Sequence, residues 1–131
     1  YGDKVQIVWR DYPLPFHKDA QPAAQAAREV FEQKGSKAFW AYHDLLFANQ
    51  KTLKRENLEK FAQQVGGIDM KAFKAALDSG KHKAGVDADM AAVTKAGARI
   101  GTPSFFINGK LLQGAQPYAS FKITIDEALK K

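Results

Sequence analysis

The segment Ser104-Phe105-Phe106-Ile107-Asn108-Gly109-Lys110-Leu111-Leu112 most constrains what this chain can fold into. Two apolar runs flank an Asn-Gly pair, and both of those residues tolerate the positive φ that a type I′ turn demands. A tight β-hairpin is therefore predicted near the C-terminal end. From Ala20 to Gly97 the hydrophobic period is helical instead. Any sheet must then be small and must draw its strands from the two ends of the chain.

The other strand signal stands at the opposite end. Val5, Ile7 and Trp9 alternate with Gln6, Val8 and Arg10, which predicts a strand over these residues. Pro13 and Pro15 end it, because proline cannot donate to a ladder, and Asp11–Pro22 reads as an arch with three prolines. Ala20, Ala23, Ala24, Ala27, Val30 and Phe31 then recur at helical spacing until Gly35. Ser36 is a candidate N-cap for a second helix carrying Phe39, Trp40, His43, Leu46 and Phe47. Leu58, Phe61, Ala62 and Val65 predict a third, ended by Gly66-Gly67. Asp69 caps a fourth, with Ile68 and Phe73 at the positions of a hydrophobic staple, and Asp78-Ser79-Gly80 closes it. Val86, Met90, Val93 and Gly97 suggest a fifth. Pro117 suits the first position of a final helix carrying Tyr118, Phe121, Ile125, Ala128 and Leu129.

A chain of 131 residues with 45% hydrophobic and 26% charged side chains is one globular domain with a real core. The expected divisions are strand and arch over 1–15, a mostly helical region over 16–99, and loop, hairpin and final helix over 100–131. No apolar run approaches the ~18–20 residues of a membrane helix, and no basic-then-apolar leader precedes Val5. The net charge of +6 invites an acidic partner. The lysines are spread along every segment, however, and cluster only at predicted helix ends (Lys51, Lys54 and Arg55; Lys81 and Lys83; Lys130 and Lys131). That pattern describes a solvated surface, and no nucleic-acid partner is expected.

Cysteine is absent, so this chain has no thiol with which to form a disulfide, bind a metal or attack a bond. The histidines, His17, His43 and His82, are spaced for no local metal motif. His43 falls on an apolar helix face, where a satisfied core histidine is the simpler reading. There is no glycine-rich phosphate loop and no Gly-x-Ser-x-Gly elbow. Asp87/Asp89 and Asp126/Glu127 read as ordinary helix-surface charges. The one sharp local feature is Ile100-Gly101-Thr102-Pro103-Ser104, in which Pro103 is a candidate for a cis peptide bond at the entry to the hairpin.

The stretch Gly101-Thr102-Pro103-Ser104-Phe105-Phe106-Ile107-Asn108-Gly109 resembles the cis-proline loop and hairpin of thioredoxin-fold proteins, specifically the DsbA-like thiol–disulfide oxidoreductases. Tyr1-Gly2-Asp3-Lys4-Val5 with Val8-Trp9-Arg10-Asp11-Tyr12-Pro13-Leu14 resembles the strand and arch that follow the family's first active-site helix. Ala23-Ala24-Gln25-Ala26-Ala27 and Phe39-Trp40-Ala41-Tyr42-His43-Asp44-Leu45-Leu46-Phe47 resemble its inserted helical region, and Gly114-Ala115-Gln116-Pro117 the turn into its final helix. The resemblance implies an α/β, thioredoxin-like fold with a helical insertion. It also implies an N-terminal truncation, because the family's central strand and Cys-x-x-Cys helix have no counterpart in these residues.

By residue match, the resemblance makes Thr102 and Pro103 the substrate-binding residues, with the Thr102 backbone pairing with an extended polypeptide. Unfolded or reduced polypeptides are the implied partners, and a periplasmic or otherwise exported setting the implied location. No catalytic residue, cofactor or metal is expected in this chain, which should be inactive alone. A cysteine-free peptide-binding or chaperone module is the alternative. Loss of a central strand would leave Val5–Arg10 and Ser104–Ile107 without a shared partner. A strand-swapped or edge-paired homodimer is the expected solution, with direct pairing of the two strands next.

Overall fold

The structure is a computed structural model that describes residues 1–131. Its contacts gather the chain into two compact units, one formed by residues 11–92 and the other by residues 1–10 with 93–131.

The first unit is helical. Helix α1 (Ala20–Ala48) leads, followed by α2 (Arg55–Val65), α3 (Met70–Ser79) and α4 (Lys83–Lys95). The two helices predicted on either side of Gly35 are both formed and make the two arms of α1, because Gly35 breaks the helical run between them with a non-helical backbone, at φ 77 and ψ −167. Only glycine takes that backbone conformation readily. The arms pack on α2 and α3 around Val30, Phe39, Tyr42, Leu58, Phe61 and Phe73. Full burial of Phe73 contributes roughly 2–3 kcal/mol on transfer grounds, and its ring meets Tyr42 edge-on at 6.4 Å. Tyr42 is also fully buried, and its hydroxyl donates to the Leu58 carbonyl at 2.9 Å. Burial pushes that phenol's pKa up, so it stays a donor.

Start and stop signals read from the sequence act as physical caps here. The Asp69 carboxylate accepts from the Ala72 N–H at 3.0 Å, and Ile68 and Phe73, at the staple positions, both join the core cluster. Gly80 ends α3 in the left-handed region, and Gly66 ends α2 at φ 81. The Gln33 side chain ties α1 to this cap. The Asp69 N–H donates to its Oε1 at 2.8 Å, and its Nε2 donates to the Asp69 carbonyl at 3.3 Å. The arch is anchored by charge. Arg28 donates from Nε to Asp11 Oδ2 at 2.6 Å and from Nη2 to Asp89 Oδ2 at 2.7 Å, while the Asp11 N–H donates to the same Asp89 oxygen at 2.9 Å. One guanidinium fork thus serves two buried carboxylates, a geometry that lysine cannot reproduce.

The second unit holds the hairpin. Strands β1 (Ser104–Ile107) and β2 (Lys110–Gln113) are antiparallel, and α5 (Tyr118–Leu129) follows with Pro117 as its N-cap, one position earlier than the sequence suggests. Asn108 and Gly109 both have positive φ, 47 and 88, as a type I′ turn requires. Strand alternation divides the hairpin's side chains between two faces. Phe105 meets Phe121 of α5 edge-on at 4.8 Å. Its neighbour Phe106, paired with Leu111, faces the other way and is 50% exposed.

The expected first strand is not formed. Val5 opens an extended segment, but the sheet contains only β1 and β2, and Ile7 is 76% exposed. A strand exists only when another supplies its ladder, and alternation in one segment cannot provide one. Direct pairing of Val5–Arg10 with Ser104–Ile107 is accordingly not what the fold adopts. No helix is long and apolar enough to cross a membrane.

Candidate functional site

Thr102 and Pro103 lie on the exposed turn that enters β1, and the peptide bond between them is cis. The turn is held from both sides. The Ser104 hydroxyl donates to the Gly101 carbonyl at 2.6 Å. The Gly114 N–H donates to the Pro103 carbonyl at 2.8 Å, tying the end of β2 back to the loop. Gln113 donates through Nε2 to the Arg99 carbonyl at 3.1 Å, and Gln116 donates to the Gln113 carbonyl at 2.8 Å. These bonds fix every neighbour of Thr102, while no hydrogen bond within the chain uses the Thr102 backbone.

The result is a shallow, open hollow lined by Gly101, Thr102, Pro103, Ser104, Gln113 and Gly114. It offers backbone donor and acceptor groups and no ionisable side chain. Such a surface suits an extended polypeptide, whose main chain can pair with it whatever its side chains. The sequence names Thr102 and Pro103; the fold adds Ser104, Gln113 and Gly114 to the rim. Ser104 pairs with Gln113 in the hairpin register, so counting outward from Asn108-Gly109 would have reached both.

The histidines are not gathered here. His17 meets Phe16 with tilted rings at 4.6 Å, and His43 lies in α1 against Trp40 and Phe47 with Asp44 at 3.0 Å. His82 has a more structured setting that no local spacing foretold. Its Nε2 lies 2.6 Å from Glu29 Oε2, and Lys81 Nζ reaches Glu29 at 3.3 Å and Glu32 at 2.6 Å. Burial alone would raise the Glu29 pKa, but hydrogen bonds from Gln33, His82 and Lys81 outweigh it and hold the carboxyl below its ordinary value. The Glu32 hydrogen bond, in turn, holds the Lys81 ammonium above its usual range.

The thioredoxin family model matches residues 1–127. The Na⁺/H⁺ antiporter NhaA 3 of Salinispora tropica is 38% identical over 120 residues, a match covering 87% of this chain and 17% of that protein. Disulfide bond formation protein D of Bacillus subtilis is 27% identical over 134 residues, covering 98% of this chain and 60% of that protein. The crystal structure of BdbD from Bacillus subtilis in its oxidised form superposes with a TM-score of 0.77 at 27% identity, covering 90% of this chain and 66% of that one. The chain thus spans less than two thirds of the length of each of these curated relatives. With a family match over nearly all its residues, an inserted helical region and a hairpin entered through Thr102-Pro103, this chain belongs to the thioredoxin family as a DsbA-like, α/β thioredoxin-fold protein.

Proposed function

We propose that this chain supplies the substrate-side surface of a DsbA-like thiol–disulfide oxidoreductase acting on unfolded or reduced polypeptides of an exported compartment. The observation that carries the reading is the Thr102 backbone, exposed and unused within the chain, on a loop that its neighbours hold in place. Thiol–disulfide exchange needs a thiolate nucleophile, and there is no cysteine among these 131 residues. The dithiol of such an enzyme therefore has to come from polypeptide outside them, and the chain by itself contributes binding and no redox chemistry. An edge-paired or strand-swapped homodimer belongs to the same proposal, supported by β1 having β2 as its single ladder partner. The absence of cysteine equally favours a second reading, a peptide-binding module without redox function.

Binding of a reduced, unfolded polypeptide, read by fluorescence anisotropy, tests the loop. Thr102→Ala should keep the affinity, because the backbone does the pairing. Thr102→Pro, which removes the N–H, should weaken it at least several-fold. Equal affinities for the two variants would overturn the role of the loop. Insulin reduction by the chain alone should match buffer, and turnover that survives repurification would contradict the reading of its chemistry.

A further inference from the structure

The helical unit carries a second cluster, remote in sequence from the loop and unused by the proposed function. Glu29 and Glu32 stand one turn apart on α1, three residues from each other and so on one face. His82, just ahead of α4, brings Nε2 to 2.6 Å from Glu29 Oε2 and 3.7 Å from Glu32 Oε2. One donor atom from each of the three side chains lies within 4.8 Å of the other two. A tetrahedral zinc ion with bonds of about 2.0–2.1 Å holds its donors about 3.3 Å apart, and the two His82 separations bracket that value. The donor set, two carboxylates and an imidazole, is one that suits zinc among the common divalent ions.

Two further features fit a cation. Glu29 is only 2% exposed, and its other oxygen accepts from Gln33 Nε2 at 2.8 Å, which fixes the carboxylate plane and leaves Oε2 turned toward His82. Such outer hydrogen bonds orient metal ligands. The site also already draws a positive charge, since Lys81 Nζ bridges Glu29 and Glu32. Lys81 is 45% exposed. Its flexible stem can carry the ammonium out to water, where a lone lysine is well solvated. A divalent ion would then neutralise both carboxylates, where the ammonium offsets one charge.

We propose that Glu29, Glu32 and His82 form a binding site for a zinc-like divalent cation, which enters by displacing the Lys81 ammonium and the proton that His82 Nε2 shares with Glu29, that proton passing to water or leaving the imidazole protonated at Nδ1. The three ligands leave a fourth position to water. Calorimetric titration of the full chain with ZnCl₂, alongside nitrogen NMR of the histidine rings, tests it. The expected result is one equivalent bound with the His82 Nε2 signal displaced, His17 and His43 unmoved, and no competition from MgCl₂. Glu32→Gln and His82→Gln should each weaken zinc binding by at least about tenfold, since even outer-sphere partners are worth about 10–100-fold. Lys81→Met should tighten it. Circular dichroism of each variant separates a lost ligand from a lost fold, and exposed Glu32 is the safer change. Zinc binding that is absent, or unaltered in folded His82→Gln, would overturn the site and leave a lysine-neutralised ion cluster. Unaltered affinity in Lys81→Met would overturn the displacement.

Discussion

The helical unit and the hairpin unit solve the same problem with different success. Every buried apolar side chain of the molecule lies in the helical unit, from Ala23 to Val86, whereas Thr124 is the only buried residue of the hairpin unit. The buried charges of the helical unit are paired too, Asp11 and Asp89 by Arg28, Glu29 by His82 and Lys81. Large apolar side chains are exposed in both units, Phe16, Phe31 and Phe47 in the helical one and Ile7, Val8, Phe106, Leu111 and Ile123 in the hairpin one. Phe106 and Leu111 are cross-strand neighbours, so the hairpin leaves an apolar pair open on one face. The difference teaches that the buried core belongs to one unit, while the other presents the loop on which the proposed function rests.

This division can be broken by substitution. Phe73→Ala opens a cavity in the helical core and should cost about 3–5 kcal/mol, read as a lowered urea midpoint. Phe106→Ala, on the open face of the hairpin, should cost under about 1 kcal/mol. Similar costs for the two would erase the contrast. Next in size is the kink in α1. At φ 77 and ψ −167 an L-residue is strained, so Gly35→Ala should lose roughly 1–3 kcal/mol although a Cβ there meets no atom within 4 Å. Stability that is unchanged or improved would mean the two arms straighten into one helix.

The smallest effect sharpens the hairpin side. Hydrogen bonds from Lys122 and Tyr1 hold the Asp126 carboxyl below its ordinary value of 3.8. A carboxyl with a depressed folded-state pKa adds stability that is fully present above its unfolded value. That share disappears as the pH falls through the folded one. Asp126→Asn should therefore lower stability slightly at neutral pH and flatten its decline below about pH 4. An identical acid limb in both proteins would show that the Tyr1–Asp126–Lys122 contacts add nothing.

What the sequence discloses follows the range of each signal. Asn108-Gly109, Asp69 with Ile68 and Phe73, and the stop at Gly80 depend on a few adjacent residues, and all of them form as read. Gly35 also breaks the helix as read, but how the two arms pack on α2 and α3 depends on contacts that no local window shows. Alternation over Val5–Arg10 discloses strand propensity and nothing about a partner, so it fails where the ladder is missing. For the loop, Thr102 and Pro103 are visible through a family resemblance, while Gln113 and Gly114 require the hairpin register. The pairing of Glu29 with His82 spans 53 residues and leaves no trace in any local window.

The central claim is that the loop entering β1 is where this chain meets polypeptide. Amide chemical shifts recorded while a reduced, unfolded polypeptide is titrated into the isotopically labelled chain test it most directly. The account predicts saturable changes at Thr102, Ser104, Gln113 and Gly114, with the amides of Val30, Tyr42, Leu58 and Phe73 unmoved. Changes confined to the helical unit, or an undisturbed loop at saturating polypeptide, would contradict it.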